Sequence, residues 1–264
     1  MSRILQVLPM AVGVAVLAAP VRAQLIEEFA PQRPAGCCLV GNAQRLTEQL
    51  ADWNQLGRYA QANRELLGKP VPRGRVVFMG DSITDGWDLA AGFQGKPYVN
   101  RGIGGQTTAQ MLVRFYADVI ALQPAAVTIF AGTNDIAANN GPQTLAMIQQ
   151  NIMAMVELAK VHGIRVVLCA VMPVTDAKSA APERGGAPIN QTRQRPLADI
   201  LKLNAWLKTY ARETGAGFAD YYAATVGADG MLRAEFTSDG LHPNAAGYKL
   251  LQPVIAAALD ATLR

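Results

Sequence analysis

The chain has 264 residues, half of them apolar, with 24 basic and 20 acidic side chains and three cysteines. That length supports one sizeable core, or two small ones. The charge is nearly balanced and no basic run stands out, which removes the electrostatic argument for nucleic acid; no CxxC pair or His/Cys cluster suggests a metal site.

The chain opens with Arg3, an apolar run over residues 4–17 broken by Gln6, Pro9 and Gly13, and then "APVRAQ", with small Ala23 two residues after Val21. This is the pattern of a secretory signal peptide over residues 1–23, and it predicts a secreted or periplasmic protein. An uncleaved anchor is the alternative, but the run is short of the ~20 residues a membrane span needs. The mature chain then begins near Gln24 with 22 basic against 20 acidic residues and no membrane span.

Residues 24–38 are Pro-rich and without period, so they read as irregular. Cys37 and Cys38 are adjacent there; export permits a strained ring between them or a bond to another chain. A lipid-attachment cysteine would follow the apolar run directly, and "QRPAGCC" does not. Residues 42–67 carry Leu46, Leu50, Trp53, Leu56 and Tyr59 at helical spacing, closed by Gly68 and Pro70. The expectation is an outer helix, with residues 24–70 lying outside the main domain at 71–264.

From there, apolar runs at 75–79, 98–100, 126–131, 165–171 and 217–219 alternate with helical patterns at 107–122, 142–162, 196–214 and 244–263. Continuous apolar strands such as "AVTIFAG" and "RVVLCAV" predict burial on both faces, as in a parallel sheet covered by helices. The alternation predicts a single α/β layer domain. Cys169, inside such a run, reads as a small buried hydrophobe. Residues 175–195 form one long insert with no apolar period, and loops of that length are functional or disordered.

Ligand sites in open parallel sheets lie beyond the carboxyl ends of the strands. "GDSITDGW", "NRGIGGQTT", "AGTNDI" and the insert all leave strands at that edge, so they share one rim. The chain has four serines: Ser2, Ser82, Ser179 and Ser238. Only Ser82 combines a strand end with a helix start, where unpaired N–H groups and the positive helix end face a developing anion. Helix capping by Asp81 or Ser82 is the plainer reading of that motif taken alone.

Of the two histidines, His162 closes a helix before a strand and belongs to the opposite rim. A Ser–His pair must therefore use His242, in "TSDGLHPN". Asp239, three residues earlier, is placed to hold one ring nitrogen and leave the other for the serine. An Asp-Gly turn before a helix explains Asp239, Gly240 and Pro243 but not the histidine. The glycine-rich "NRGIGGQTT" offers backbone N–H groups, and Asn134 offers an amide, to an oxyanion. Neither GxGxxG nor GxxxxGK[ST] is present, so a nucleotide loop is not supported.

Together "FMGDSITDGW", "VNRGIGGQTT", "AGTND" and "SDGLHPN" resemble the SGNH (GDSL-like) hydrolases over residues 75–263. The resemblance implies a three-layer α/β/α flavodoxin-like fold with about five parallel strands, and a serine esterase without cofactor or metal. It implies Ser82 as nucleophile and Asp239 and His242 as its partners. It implies an oxyanion hole from the N–H groups of Ser82 and Gly105 and the side chain of Asn134. Gln106 departs from the family, which often has Asp after the second-motif glycine; this bears on how the loop is held. The GxSxG elbow of the other common serine-hydrolase plan is absent. The implied substrate is a small-molecule or carbohydrate ester with a short acyl group, acetyl foremost. Trp87 and Arg101, near the predicted rim, are candidate substrate contacts, with core packing as the alternative for Trp87. A non-catalytic carbohydrate-binding or surface protein on the same fold, or an acyltransferase, are the alternatives.

Overall fold

The computed structural model describes residues 50–178 and 190–264. The predicted signal peptide, Cys37 and Cys38, the first part of the predicted outer helix and the middle of the insert lie outside the described residues.

Five strands form the central sheet: β1 (Val76–Gly80), β2 (Tyr98–Gly102), β3 (Ala126–Phe130), β4 (Arg165–Cys169) and β5 (Gly217–Ala219). Their order is β2-β1-β3-β4-β5 and every pairing is parallel. All residues of β1 and β3 are buried, which accounts for their largely apolar sequences, with Thr128 of β3 the one polar side chain. The helices are α1 (Gly57–Leu67), α2 (Ser82–Asp85), α3 (Leu89–Gly92), α4 (Thr108–Asp118), α5 (Thr133–Ile136), α6 (Leu145–Val161), α7 (Gln191–Gln194), α8 (Leu197–Thr214), α9 (Tyr221–Thr225) and α10 (Ala245–Leu263). The α/β layering expected from the alternation, and the three-layer α/β/α form implied by the resemblance, are those observed.

Side chains alternate across the sheet, as the strand period of two requires. Val77, Met79, Val127, Ile129, Val166 and Leu168 face α4, α6 and α8, where Met111, Phe115, Ile152, Met155 and Leu203 complete one core. Val76, Phe78, Ala126, Val167 and Cys169 face α10 and an aromatic group on the other side. Spacing of three and four residues puts Ile148, Ile152, Met155 and Ala159 on the buried face of α6. Thr144 caps that helix through its side chain, which accepts from the N–H of Met147 at 3.1 Å. The Cys169 thiol, pushed up to about 12 by burial, behaves as the core residue expected.

The predicted continuous helix over residues 42–67 is broken. Both carboxylate oxygens of Asp52 accept backbone N–H groups, of Leu56 and Gly57, at 2.8 Å, and Gln55 is left-handed at φ 56°. A new helix start follows, so α1 begins at Gly57. Leu50, Trp53 and Leu56, expected to be its apolar stripe, are 75%, 41% and 41% exposed. Leu66 packs against the core, and the other contacts that dock α1 are polar: buried Asn63 donates to Asp118 at 2.6 Å, and the Tyr59 hydroxyl donates to the carbonyl of Gly102. No helix of the described residues is long and apolar enough to cross a membrane.

The chain leaves β1 for β2 on one side and then crosses to β3 on the other. The strand order thus reverses between β1 and β3, and the crevice beyond their carboxyl ends is where such sheets bind ligands. Gly80 ends β1 in register with Gly102 of β2 and Phe130 of β3. Ser82 and Asn134 follow those ends by a few residues.

Candidate active site

Ser82 is placed by a sharp exit from β1. A Cβ on Gly80 would stand 2.0 Å from Oγ1 of Thr84, so only glycine lets the chain fold back here. Asp81 caps the turn, its Oδ1 accepting from the N–H of Ile83 at 3.0 Å. The hydroxyl of Tyr248 braces the same turn from α10, donating to the carbonyl of Ile83 at 2.8 Å. The helix expected after Ser82 is a single turn, closed by the N–H of Gly86 on the carbonyl of Ser82 at 2.9 Å. One turn sums few peptide dipoles, so the helix end adds little field here. No acceptor meets the Ser82 N–H among the described residues.

The structure brings Ser82, His242 and Asp239 into one chain of hydrogen bonds. Ser82 Oγ lies 2.8 Å from His242 Nε2, and His242 Nδ1 lies 2.6 Å from Asp239 Oδ2. A carboxylate only accepts, so the ring proton sits on Nδ1 and Nε2 accepts from the serine hydroxyl. Asp239 is held in turn. Its Oδ1 accepts from the N–H groups of Leu241 at 2.9 Å and His242 at 2.8 Å. Burial alone would push its carboxyl upward; the bonds from the His242 ring and from those two amides, with the charge of His242, outweigh burial and hold it below the usual range. Gly240 makes the loop possible at φ 86°, where a Cβ would stand 2.0 Å from the carbonyl oxygen of Thr175.

The glycine-rich loop lies alongside. A Cβ on Gly104 would be 3.8 Å from Cβ of Ser82, and Gly104 donates its N–H to Asp85 Oδ2 at 3.3 Å. Gly105 is left-handed at φ 77°. Its carbonyl accepts from Asn139 Nδ2 at 3.0 Å, and no acceptor meets its N–H among the described residues. Asn134 is buried, and its Nδ2 donates one N–H to the carbonyl of Gln106 at 3.0 Å, leaving the second. Asp135, the acid of "GTND", is bound to Thr108. It accepts from Thr108 N–H at 3.0 and 3.1 Å and from Thr108 Oγ1 at 2.6 Å, which ties α5 to the start of α4. Its carboxyl stands at about 6 because burial outweighs those bonds.

Arg195 belongs to this site and was not expected there. It is 5% exposed; its Nε donates to Thr133 Oγ1 at 3.1 Å, and its Nη2 reaches Asn134 Oδ1 at 3.5 Å. Its Nη1 donates to Gln191 Oε1 at 2.9 Å, and Gln191 Nε2 donates to the carbonyl of Asp239 at 3.4 Å. The insert therefore returns through α7 to link the Asn134 side of the crevice with the Asp239 loop. Asp176 anchors its outer end, accepting from the N–H of Thr192 at 3.1 Å. Asp81 is wholly buried, with one carboxylate oxygen unpartnered among the described residues. Burial raises its carboxyl to about 6, against the Ile83 N–H and the charges of His242 and Arg195.

Two candidate substrate contacts are corrected. Trp87 is 6% exposed and packs among Phe78, Phe93, Tyr221 and Tyr248 at centroid distances of 5.4 to 6.3 Å. Its ring fills the core beneath α10 and offers no face to a ligand. Arg101 is 4% exposed; its Nε and Nη2 donate to Asn63 Oδ1 at 2.9 and 2.7 Å, and its guanidinium stacks over Tyr59. It is spent on docking α1.

A serine hydroxyl on an imidazole on a carboxylate, at the switch point of a parallel sheet, is the layout of nucleophilic acyl transfer. Residues 78–250 match the model of the GDSL-like lipase/acylhydrolase family, and the chain belongs to that family. A structure from Bacteroides fragilis assigned as an acylhydrolase is 43% identical, with a TM-score of 0.71 over 81% of this chain and 99% of that one. A GDSL-like lipase from Bacteroides thetaiotaomicron is 36% identical, with a TM-score of 0.68 over 79% and 98%. The uncharacterised lipoprotein YqeF of Bacillus subtilis is 31% identical over 120 residues, 38% of this chain; the chain spans about half of that relative's length, 49%.

Proposed function

We propose that this acylhydrolase is an exported serine esterase that cleaves short-chain acyl esters, acetyl esters on carbohydrates foremost, through Ser82, His242 and Asp239. The observation that carries the reading is the continuous contact from Ser82 Oγ to His242 Nε2 at 2.8 Å and from Nδ1 to Asp239 at 2.6 Å.

In this reading Ser82 Oγ attacks the ester carbonyl carbon as its proton passes to His242 Nε2. The carbonyl oxygen becomes an oxyanion, met by the N–H groups of Ser82 and Gly105 and by the free N–H of Asn134. Asp239 stabilises the imidazolium through Nδ1–H without taking its proton. Collapse of the intermediate breaks the ester C–O bond, and the leaving alcohol takes the proton from His242. Water then attacks the acyl-enzyme, His242 again receiving a proton, and the acid departs as Ser82 regains its hydrogen.

Export is supported by the leader pattern at residues 1–23 and by the lipoprotein description of the Bacillus subtilis relative. The short acyl group and the carbohydrate alcohol follow from the family resemblance. The proposed hydrolase domain runs over residues 71–264, with residues 24–70 preceding it. Hydrolysis of p-nitrophenyl esters of increasing chain length, followed by acetate release from acetylated polysaccharide, tests the reading. Wild type is expected to favour acetate and Ser82→Ala to lose turnover; a preference for long acyl chains would overturn the acyl assignment.

A further inference from the structure

The turn before α1 and the glycine loop after β2 are clasped together at Gln106. This side chain is 1% exposed. Its Nε2 donates to the carbonyl of Asn54 at 3.0 Å and to Oε1 of Gln55 at 3.2 Å. Its Oε1 accepts from Nε of Arg114 at 2.6 Å. Arg114, itself fully buried, donates to Asp118 Oδ2 at 2.9 Å and to the carbonyl of Gly80, the last residue of β1, at 3.1 Å. The backbone carbonyl of Gln106 accepts from Asn134 Nδ2. One residue thus joins the N-terminal turn, the strand that delivers Ser82 and the Asn134 amide, and it is covalently bonded to Gly105. Gln110 adds a second strap, its Nε2 donating to the carbonyl of Trp53 at 2.7 Å.

The turn over residues 52–56 lies before the residues matched by the family model, which begin at 78. It keeps its shape through Asp52, and its apolar side chains, Trp53 and Leu56, are turned outward at 41% exposure. A segment that buries its carbonyls and exposes its hydrophobes contributes little to a core; it serves as a latch. A latch is needed here. Gly104 and Gly105 are consecutive and exposed, and glycine backbone is conformationally loose. Oxyanion donors are effective only when held in place before charge develops.

We infer that Gln106 is a positioning residue for the oxyanion hole, and that the turn at residues 52–56 is the other half of the device. The inference rests on the esterase reading above. Opening the clasp loosens the backbone around Gly105 and the carbonyl that orients Asn134. The loss is felt where the oxyanion forms and not where substrate first binds, so kcat falls while KM holds.

Two variants of the full chain test this, assayed on p-nitrophenyl acetate. Gln106→Glu keeps an acceptor for Arg114 but removes the donor to Asn54 and Gln55. Asp52→Ala releases the turn from its exposed outer end without touching the loop. Each is expected to lower kcat about five- to twentyfold with KM within about twofold, and the double variant to be no worse than Gln106→Glu alone, since both open one clasp. Single variants that keep wild-type kcat within about twofold, effects that multiply in the double variant, or KM rising as kcat falls would overturn the inference. Wild-type turnover that Ser82→Ala abolishes is the reference. Its absence overturns the esterase reading together with the clasp; its presence, with unaffected variants, overturns the clasp alone.

Discussion

Asp239 holds His242 twice, by the ring Nδ1 at 2.6 Å and by the backbone N–H at 2.8 Å, using a different carboxylate oxygen for each. Ring and backbone are therefore fixed relative to each other by one side chain three residues away. Asp239→Asn keeps an acceptor for the backbone but turns an NH₂ toward Nδ1, which favours the wrong tautomer. We expect kcat on p-nitrophenyl acetate to fall by about 10² to 10⁴, with the thermal midpoint little changed. Undiminished turnover would remove Asp239 from the mechanism.

Asn134→Ala deletes one proposed oxyanion donor. The expected loss is about 10²–10³ in kcat at nearly constant KM. The side chain also donates to the Gln106 carbonyl, so circular dichroism of the variant checks that the rim survives. A KM effect with kcat intact would reassign Asn134 to ground-state binding.

Arg195 is a buried cation beside Asn134, within electrostatic reach of Asp81 and Asp239. Arg195→Met removes the donors to Thr133 Oγ1 and Gln191 Oε1 together with the positive charge near Asp81, and a buried polar group left without its partner costs about 1–3 kcal/mol. Urea unfolding is expected to show a loss on this scale, and Arg195→Lys a smaller one. A neutral effect in both variants would show that the insert's return through α7 contributes nothing to the rim.

The wholly buried Asp81 carries a pH signature. Its carboxyl is raised to about 6 from 3.8, so the folded chain holds this proton longer than the unfolded one. Between those values stability falls as pH rises, by up to about 1.4 kcal/mol per unit, and the contribution is constant above the folded value. Asp81→Asn keeps the cap on Ile83 and removes the titration. Urea unfolding from pH 4 to pH 7 should therefore show wild type losing stability relative to Asp81→Asn up to about pH 6. Parallel curves for the two proteins would contradict this.

Much of the rim was legible because the chemistry is concentrated in few residues. With four serines and two histidines, Ser82 stands out as the serine joining a strand end to a helix start, and His242 as the histidine left once His162 falls to the opposite rim. The sheet was legible because strands buried on both faces are apolar almost throughout. The break in the predicted outer helix had a local signal, Asp52 five residues before Gly57, which the apolar spacing overrode. Arg195 had none: it sits in a polar insert without period, and its role depends on contacts 61 and 62 residues away. Trp87 and Arg101 were assigned to the rim by chain position, whereas their burial is set by α10 and α1, which arrive from distant sequence.

The most direct test of the account is covalent labelling by a fluorophosphonate, read out by peptide mass spectrometry. The account predicts a single adduct on Ser82, lost in Ser82→Ala and strongly slowed in His242→Ala. A wild-type protein that takes no label, or takes it on another residue, would contradict it.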